Sequence, residues 1–227
     1  DKVQGKTIPV DGNFFCYTRH EPVGVVGQII PWNFPIMMLA WKLAPALATG
    51  NTVVLKPAET SSLTALAFAD ICQQADLPPG VVNIVTGDGS TGAALVDHPG
   101  IDKLAFTGST EVGKGIQRRL AGRGIPLTLE LGGKSPTVIL DDADLDIAAS
   151  NARWGAWLHQ GQICMTTGRI LVDEKLAPAF VERLATVAEH LPVGDPARQQ
   201  VALGPLINAR QRDKVHAIVH DSVAAGA

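Results

Sequence analysis

The residues able to do chemistry are spread along the chain, and a single cysteine is the natural starting point. Cys164 stands in His159-Gln160-Gly161-Gln162-Ile163-Cys164-Met165-Thr166-Thr167-Gly168-Arg169, after a helix-like segment and before the apolar run Ile170-Leu171-Val172. Glycines at 161 and 168 free the backbone to turn on either side. A thiol at the mouth of a turn can meet a substrate as a nucleophile, although a buried structural thiol fits this stretch equally well. Glu130 ends the apolar run Leu127-Thr128-Leu129-Glu130-Leu131 and precedes Gly132-Gly133-Lys134. A carboxylate so placed is a candidate general base, and partial burial would raise its pKa towards neutrality; a salt bridge, to Lys134 for example, is the other reading. In Pro31-Trp32-Asn33-Phe34-Pro35 two prolines fix the backbone around one exposed amide side chain, or simply make a rigid turn.

Two further stretches suit a ligand with phosphate and ribose groups. Lys56 and Glu59, three apart beside a strand end in Lys56-Pro57-Ala58-Glu59-Thr60-Ser61, could grip ribose hydroxyls. The same residues also suit a solvated helix start capped by Thr60 or Ser61. Thr107-Gly108-Ser109-Thr110-Glu111-Val112-Gly113 opens a helix and offers free N–H groups and a positive dipole end to a phosphate. It is neither a GxGxxG fingerprint nor a Walker loop. Thr86-Gly87-Asp88-Gly89-Ser90-Thr91-Gly92 is a second glycine-rich turn into a helix.

The elements that must position these groups alternate regularly. Near-continuous apolar runs at 23–30, 52–55, 81–85, 103–106 and 127–131 read as strands buried on both faces. Between them lie helix-like segments at roughly 36–48, 61–75, 90–97 and 110–121. This rhythm predicts an α/β fold with a doubly wound parallel sheet. Right-handed crossovers would then put all the strand C-termini, and the loops just described, on one edge. Ahead of the sheet, Thr7–Val10 and Phe14–Arg19 flank Asp11-Gly12-Asn13 as a hairpin. After it, a strand at 136–140, a helix from Asp144 through about His159, a strand at 169–173, a helix at 177–190 and a polar terminal helix are expected.

Composition narrows the partners. The chain has 227 residues, 46% hydrophobic and 18% charged, enough for a sizeable core. With a net charge of −3 and no basic patch, nucleic acid and anionic membrane are poor partners. No segment reads as membrane-spanning. The three cysteines, Cys16, Cys72 and Cys164, are odd in number and widely spaced, which favours free thiols in a reducing, cytoplasmic setting. No metal is expected: no CxxC or His-rich pair suggests zinc, and Asp141, Asp142 and Asp144 lack calcium-loop spacing.

Taken together and in order, Pro31-Trp32-Asn33-Phe34-Pro35, Lys56-Pro57-Ala58-Glu59, Phe106-Thr107-Gly108-Ser109-Thr110-Glu111-Val112-Gly113, Glu130-Leu131-Gly132-Gly133-Lys134-Ser135-Pro136 and Gly161-Gln162-Ile163-Cys164 resemble the NAD(P)-dependent aldehyde dehydrogenase superfamily. Gly194-Asp195-Pro196 and Leu203-Gly204-Pro205-Leu206 extend the match. The resemblance implies a Rossmann-like dinucleotide-binding domain at 23–132, preceded by a hairpin from the bridging or oligomerisation region at 1–22. The first part of a second α/β catalytic domain would follow at 133–227. It implies that Cys164 attacks an aldehyde, that Asn33 and the Cys164 backbone N–H hold the oxyanion, and that Glu130 activates the water that hydrolyses the thioester. Lys56 and Glu59 would hold the adenosine ribose of NAD, and Ser109 the pyrophosphate. Ile30, Pro31, Trp32 and Asn33 would line the cofactor cleft from one loop, and Gly89, Gly108, Val112 and Leu131 from the others. Glu59 suits a free 2′-hydroxyl, so NAD is favoured, with NADP possible because Lys56 softens the preference.

Trp157 to Met165 is similar to the branch that oxidises aromatic aldehydes such as benzaldehyde, vanillin and salicylaldehyde. Against the family pattern, the long N-terminal portion, the second half of the catalytic domain and the C-terminal strand used in subunit pairing are missing. The piece alone is therefore expected to turn over little, and the full-length parent to be a homodimer or homotetramer. Two alternatives stand beside this reading. One is a CoA-acylating relative, which the presence of Glu130 argues against; the other is a truncated, non-catalytic cofactor-binding fragment.

Overall fold

The computed structural model describes residues 3–198 and 200–227. The chain divides at Leu131/Gly132 into two compact units, each taken separately below.

The first unit opens with a short antiparallel pair, β1 (Thr7–Ile8) and β2 (Cys16–Tyr17), in register Thr7↔Tyr17 and Ile8↔Cys16. Its paired strands are two residues each, shorter than the sequence suggests; Phe14, Phe15 and Tyr17 are exposed, and Phe15 and Tyr17 stack on each other with ring centroids 5.4 Å apart. The five parallel strands follow: β3 (Val25–Ile29), β4 (Thr52–Lys56), β5 (Val82–Ile84), β6 (Lys103–Gly108) and β7 (Leu127–Leu131). Their spatial order is β5-β4-β3-β6-β7. The chain thus winds outward from β3 in one direction, returns, and winds outward in the other.

Four helices make the crossovers: α1 (Pro35–Ala48), α2 (Leu63–Gln74), α3 (Gly89–Asp97) and α4 (Thr110–Leu120). The period-two alternation of each strand sends its side chains to opposite faces. Val26, Ile30, Val53 and Leu55 pack with Met38, Leu39 and Leu43 of α1 and Ala65 of α2. Leu104 and Phe106 pack with Leu95 and Val96 of α3 and Ile116 and Leu120 of α4, while Val25, Ile29 and Val54 flank them. Both faces of the sheet are therefore covered, as its parallel strands require.

Side chains and backbone tie the strand N-terminal edge. Asn51 Oδ1 accepts from the N–H groups of Val23 (2.7 Å) and Gly24 (3.1 Å), and Asp102 Oδ2 accepts from Val25 N–H (2.8 Å). Arg123, beyond α4, donates to the carbonyls of Val96 (2.6 Å), His98 (2.8 Å) and Ile101 (3.1 Å), joining the end of α3 to the start of β6.

The second unit begins with β8 (Pro136–Ile139), pairs it in parallel with β9 (Arg169–Val172), and packs α5 (Leu145–Trp157) and α6 (Ala177–Glu189) against them. Asp144 caps α5, accepting from Asp146 and Ile147 N–H, as the acidic run predicts. The helix expected to reach His159 ends at Trp157. A single 3₁₀ turn, Leu158–Gly161, replaces its last residues because His159 (φ 54°) and Gln160 (φ 57°) adopt left-handed conformations. A final helix, α7 (Ala209–Ala224), is capped by Asn208. Among the described residues no helix is long and apolar enough to cross a membrane.

The Arg123 clamp generates a stability prediction. Arg123→Ala strips three carbonyls of a charged donor, each such bond being worth roughly 1.5–3 kcal/mol with strong non-additivity. The variant should lose about 3 kcal/mol, read as a lower denaturant midpoint with an unchanged slope; a shift under about 0.5 kcal/mol would show that the clamp contributes nothing.

Candidate functional site

In a doubly wound sheet, ligands bind outside the carboxyl ends of the strands, where the winding direction reverses. Here the reversal lies between β3 and β6, which pair in parallel from Val26↔Lys103 to Ile29↔Phe106. The loops leaving these two strands, 30–34 and 109–110, therefore emerge side by side on that edge. The first carries Ile30, Pro31, Trp32 and Asn33; the second carries Ser109 at the start of α4.

Ile30 is buried and its N–H donates to the Lys56 carbonyl, which extends the β3–β4 ladder by one step. Pro31, Trp32 and Asn33 are half-buried. The side chain of Asn33, expected to be exposed, has its amide oxygen shielded from solvent. The reason is the tightness of the turn: Phe34 caps α1, Pro35 occupies its first position, and Met38 N–H already bonds the Phe34 carbonyl at 2.8 Å.

Lys56 ends β4 with only 5% of its surface exposed, and its ammonium lies 3.5 Å from the exposed carboxylate of Glu59. The two residues are brought together as a clamp at the strand end, across the single 3₁₀ turn Glu59–Ser61. Glu59 is solvated, as the helix-start reading has it, but Lys56 is not, and α2 is preceded by Ser62 as N-cap and not by Thr60 or Ser61.

At α4, Ser109 is the N-cap and its hydroxyl accepts from Val112 N–H at 3.4 Å. A Cβ on Gly113 would lie 2.6 Å from Leu131 Cδ2, and one on Gly108 would lie 2.5 Å from the Phe106 ring. The bare Gly113 lets α4 sit this close to β7, so its N-terminus is drawn onto the strand ends. Val112 is exposed and Leu131 half-buried beside it. Gly89, the first residue of α3, is exposed with open space where a side chain would go. These features fit a dinucleotide: a close helix N-terminus for the pyrophosphate and a lysine–carboxylate pair for a ribose.

Glu130 corrects an expectation. It is exposed, not partly buried. Its register with Thr107 puts it on the face of the sheet that α1 and α2 cover. Those helices lie over β4 and β5, whereas β7 is the opposite edge strand, with α4 on its other face. Glu130 nonetheless acts electrostatically on Lys42 of α1. Burial holds the Lys42 ammonium below its ordinary range; Glu130 opposes that, and Lys103 adds to it. Lys103 in turn donates to Thr128 Oγ1 at 3.0 Å. Sequence reading misses Lys42 and Lys103, since a lysine in an amphipathic helix or at a strand start gives no local signal.

In the second unit Cys164 is exposed, whereas Cys72 is buried and Cys16 half-buried. The buried structural role left open by the sequence therefore suits Cys72, not Cys164. The turn around Cys164 is held by backbone and side-chain hydrogen bonds. Thr166 N–H donates to the Ile163 carbonyl (3.2 Å), Thr167 N–H to Gly155 (3.0 Å), and Gln162 Oε1 accepts from Ile207 N–H (3.0 Å). His159, Gln160 and Gly161 run left-handed just before it. Such strain costs roughly 1–3 kcal/mol per non-glycine residue and collects at functional sites.

Known proteins place this architecture. The profile described as "Aldehyde dehydrogenase family" matches residues 1–227. Over 229 aligned residues the chain is 53% identical to aldehyde dehydrogenase 1A1 of Homo sapiens, covering all of this chain and 46% of that protein. It is 51% identical to retinaldehyde dehydrogenase 3 of Mus musculus, covering 45% of it. Among solved structures, an aldehyde dehydrogenase of Bacillus cereus in complex with NAD+ superposes with a TM-score of 0.96 at 46% identity, covering 99% of this chain and 46% of that one. Betaine aldehyde dehydrogenase of Staphylococcus aureus with NAD+ gives 0.94 at 36% identity, covering all of this chain and 45% of that one. The chain thus spans about half the length of these relatives, and the sequence correspondence runs through both units: it belongs to the aldehyde dehydrogenase family.

Proposed function

We propose that the chain carries the cofactor-binding machinery and the nucleophile of an enzyme that oxidises an aldehyde to a carboxylic acid with NAD. The observation that carries this is the strand order β5-β4-β3-β6-β7 with the Lys56–Glu59 clamp on its carboxyl edge. Its support comes from a 46%-identical relative that holds NAD+. In this reading 23–132 is the NAD-binding domain and 133–227 the beginning of the catalytic domain.

The residue roles follow from their chemistry. The Cys164 thiolate attacks the aldehyde carbon and the carbonyl oxygen becomes an oxyanion. The Asn33 side-chain N–H and the Cys164 backbone N–H donate to it. NAD, when bound, accepts the hydride that the tetrahedral carbon must lose. What remains on Cys164 is a thioester. Glu130 takes a proton from water, the water oxygen attacks the thioester, and the acid departs as the sulfur leaves as thiolate. Lys56 and Glu59 orient the adenosine ribose, and the N-terminus of α4 at Ser109 holds the pyrophosphate. The free thiols suit a reducing, cytoplasmic setting.

Glu130 favours hydrolysis over transfer of the acyl group to CoA. For the substrate, the Trp157–Met165 similarity favours aromatic aldehydes, while relatives at 51–52% identity are named for retinaldehyde. Both are aldehydes conjugated to an extended apolar frame, and we propose that class. The full-length parent is proposed to act as a homodimer or homotetramer, and the 227-residue chain alone to turn over little.

Three outcomes test these roles. In the full-length enzyme, Cys164→Ala abolishes NADH production, and Glu130→Gln slows turnover roughly 100–10,000-fold while an acyl adduct accumulates on Cys164 by intact mass. Adduct-free Glu130→Gln protein with unimpaired turnover sinks the base assignment. Asn33→Ala costs roughly 100–1000-fold in kcat, as loss of one oxyanion donor does elsewhere; an effect confined to KM would remove it from that role. For Lys42, the sign is set by charge. Glu130→Gln removes a group that favours the ammonium, so the Lys42 pKa falls further, whereas Lys103→Met removes a repelling charge and raises it. Titration of 13C-methylated lysines by NMR reads both shifts. Because the folded value lies below the unfolded one, the unfolded chain binds this proton more readily between them, and the penalty disappears as pH rises through that window.

A further inference from the structure

The NAD reading leaves open why the clamp should prefer a free 2′-hydroxyl when its lysine could pair with a 2′-phosphate. The turn Thr86–Gly92 supplies an answer. Gly87 has a φ of +149°, and a Cβ there would collide with Thr91 Oγ1, so the backbone folds tightly back on the start of α3. That turn presents Asp88 as the N-cap: its Oδ1 accepts from Ser90 N–H at 2.8 Å and from Ser90 Oγ at 2.6 Å. The Ser90 N–H at the N-terminus of α3 is therefore spent on the helix's own carboxylate. The Lys56 stem lies beside this helix: a Cβ at Gly92, one turn on, would meet it in ordinary van der Waals contact, 4.0 Å from Lys56 Cδ and 3.7 Å from Ile29 Cδ1. The buried lysine thus runs along the first turn of the helix that Asp88 caps, with Glu59 3.5 Å from its ammonium. The hydrogen bonds from the Ser90 hydroxyl and backbone, with a smaller contribution from the Lys56 charge, hold the Asp88 carboxyl below the ordinary carboxylate range.

We infer that Asp88 is a second specificity-determining residue of the adenosine end of the site, its capping carboxylate excluding a 2′-phosphate and so selecting a dinucleotide with a free 2′-hydroxyl. A 2′-phosphate needs helix N–H groups or unmatched cationic charge. Here the Ser90 N–H is taken by the cap, and the lysine charge is met by Glu59 and by the field of Asp88. A 2′-hydroxyl is neutral and can donate to Glu59 without crossing that field. This inference rests on the NAD reading above and adds a residue to it, because Glu59 alone leaves the lysine to attract phosphate whenever the glutamate, exposed on its 3₁₀ turn, swings away. The capping aspartate is anchored by two hydrogen bonds and does not swing.

The test uses the 227-residue chain and the intrinsic fluorescence of NADH and NADPH, with no turnover required. Asp88→Asn and Asp88→Ser both keep a side-chain oxygen able to cap α3 and remove the charge, so a purely structural cap role leaves the cofactor ratio where it is. Wild type should bind NADH at least tenfold tighter than NADPH. Each variant should narrow that ratio about tenfold, chiefly by tighter NADPH binding, since removing one nearby like charge is worth about a factor of ten. Circular dichroism confirms that each variant is folded. Ratios within twofold of wild type in both variants, while Glu59→Gln does shift the ratio, overturn the role of Asp88 and leave NAD binding standing. Folded wild type that prefers NADPH likewise overturns this inference alone. Folded wild type that binds neither cofactor overturns the NAD reading and, with it, this inference.

Discussion

Strand β3 pairs in parallel with β4 on one side and with β6 on the other, and the site on the first unit depends on that double pairing. A parallel neighbour on each side means that three strand C-termini, at Ile29, Lys56 and Gly108, finish on the same edge. The chain leaves that edge through three loops of different chemistry: a proline-fixed amide, a lysine with a carboxylate, and a serine-capped helix. None of these loops has to find the others, since the backbone ladder puts them there. Burial of Val53, Leu55, Leu104 and Leu39 on the two faces makes the ladder hard to slip. A one-residue shift would turn each strand's apolar set to the wrong helix layer.

Close helix–strand approach is the second device. Gly113 lets α4 settle on Leu131, where a Cβ would lie 2.6 Å from Cδ2, and so brings a helix start, with its oriented N–H groups, to the level of the strand ends; at α3 the Lys56 stem lies beside Gly92 at ordinary contact distance. The two helix starts are then used differently. Ser109 is a neutral cap and leaves the dipole of α4 available to an anion, whereas Asp88 is a charged cap and cancels that of α3. In the proposed reading, one serine and one aspartate separate a pyrophosphate site from a site that repels phosphate.

The strands of the sheet are legible in the sequence because they are buried on both faces and read as unbroken apolar runs. Their observed bounds differ from the runs by a residue or two at most. What the sequence does not carry is which strand ends up at an edge. Glu130 looks like a half-buried base because its run is as apolar as the others, but β7 is an edge strand, and its α1-facing side lies beyond the helices that cover β4 and β5. Asn33 errs the other way: two prolines suggest an exposed turn, and the immediate start of α1 shields the amide oxygen. Asp88 escapes notice because Asp-Gly-Ser-Thr-Gly reads as a flexible glycine turn, and only the fold shows Lys56 running beside it. Resemblance supplied Cys164, Lys56 and Ser109 with roles, and the structure gives each a setting compatible with them: an exposed thiol, a buried ammonium and a helix cap.

The turn before Cys164 shows how strain and hydrogen bonding divide the work in the second unit. Three successive left-handed residues reverse the chain within one turn of α5, and only Gly161 does so without steric cost. His159 and Gln160 hold an unfavourable backbone, so something must over-determine it. The Gln162 side chain does much of this, donating to the His159 carbonyl at 3.2 Å and accepting from Ile207 N–H at 3.0 Å, forty-five residues along the chain. Thr166 adds a bond from its hydroxyl to the Gly161 carbonyl at 3.2 Å. A glycine-rich loop without these ties would place a thiol on a mobile tip, where most of its orientations are unproductive. Here Ile207, far away in sequence, bonds the side chain that ties this turn, so the backbone carrying the exposed Cys164 is held from outside the loop itself.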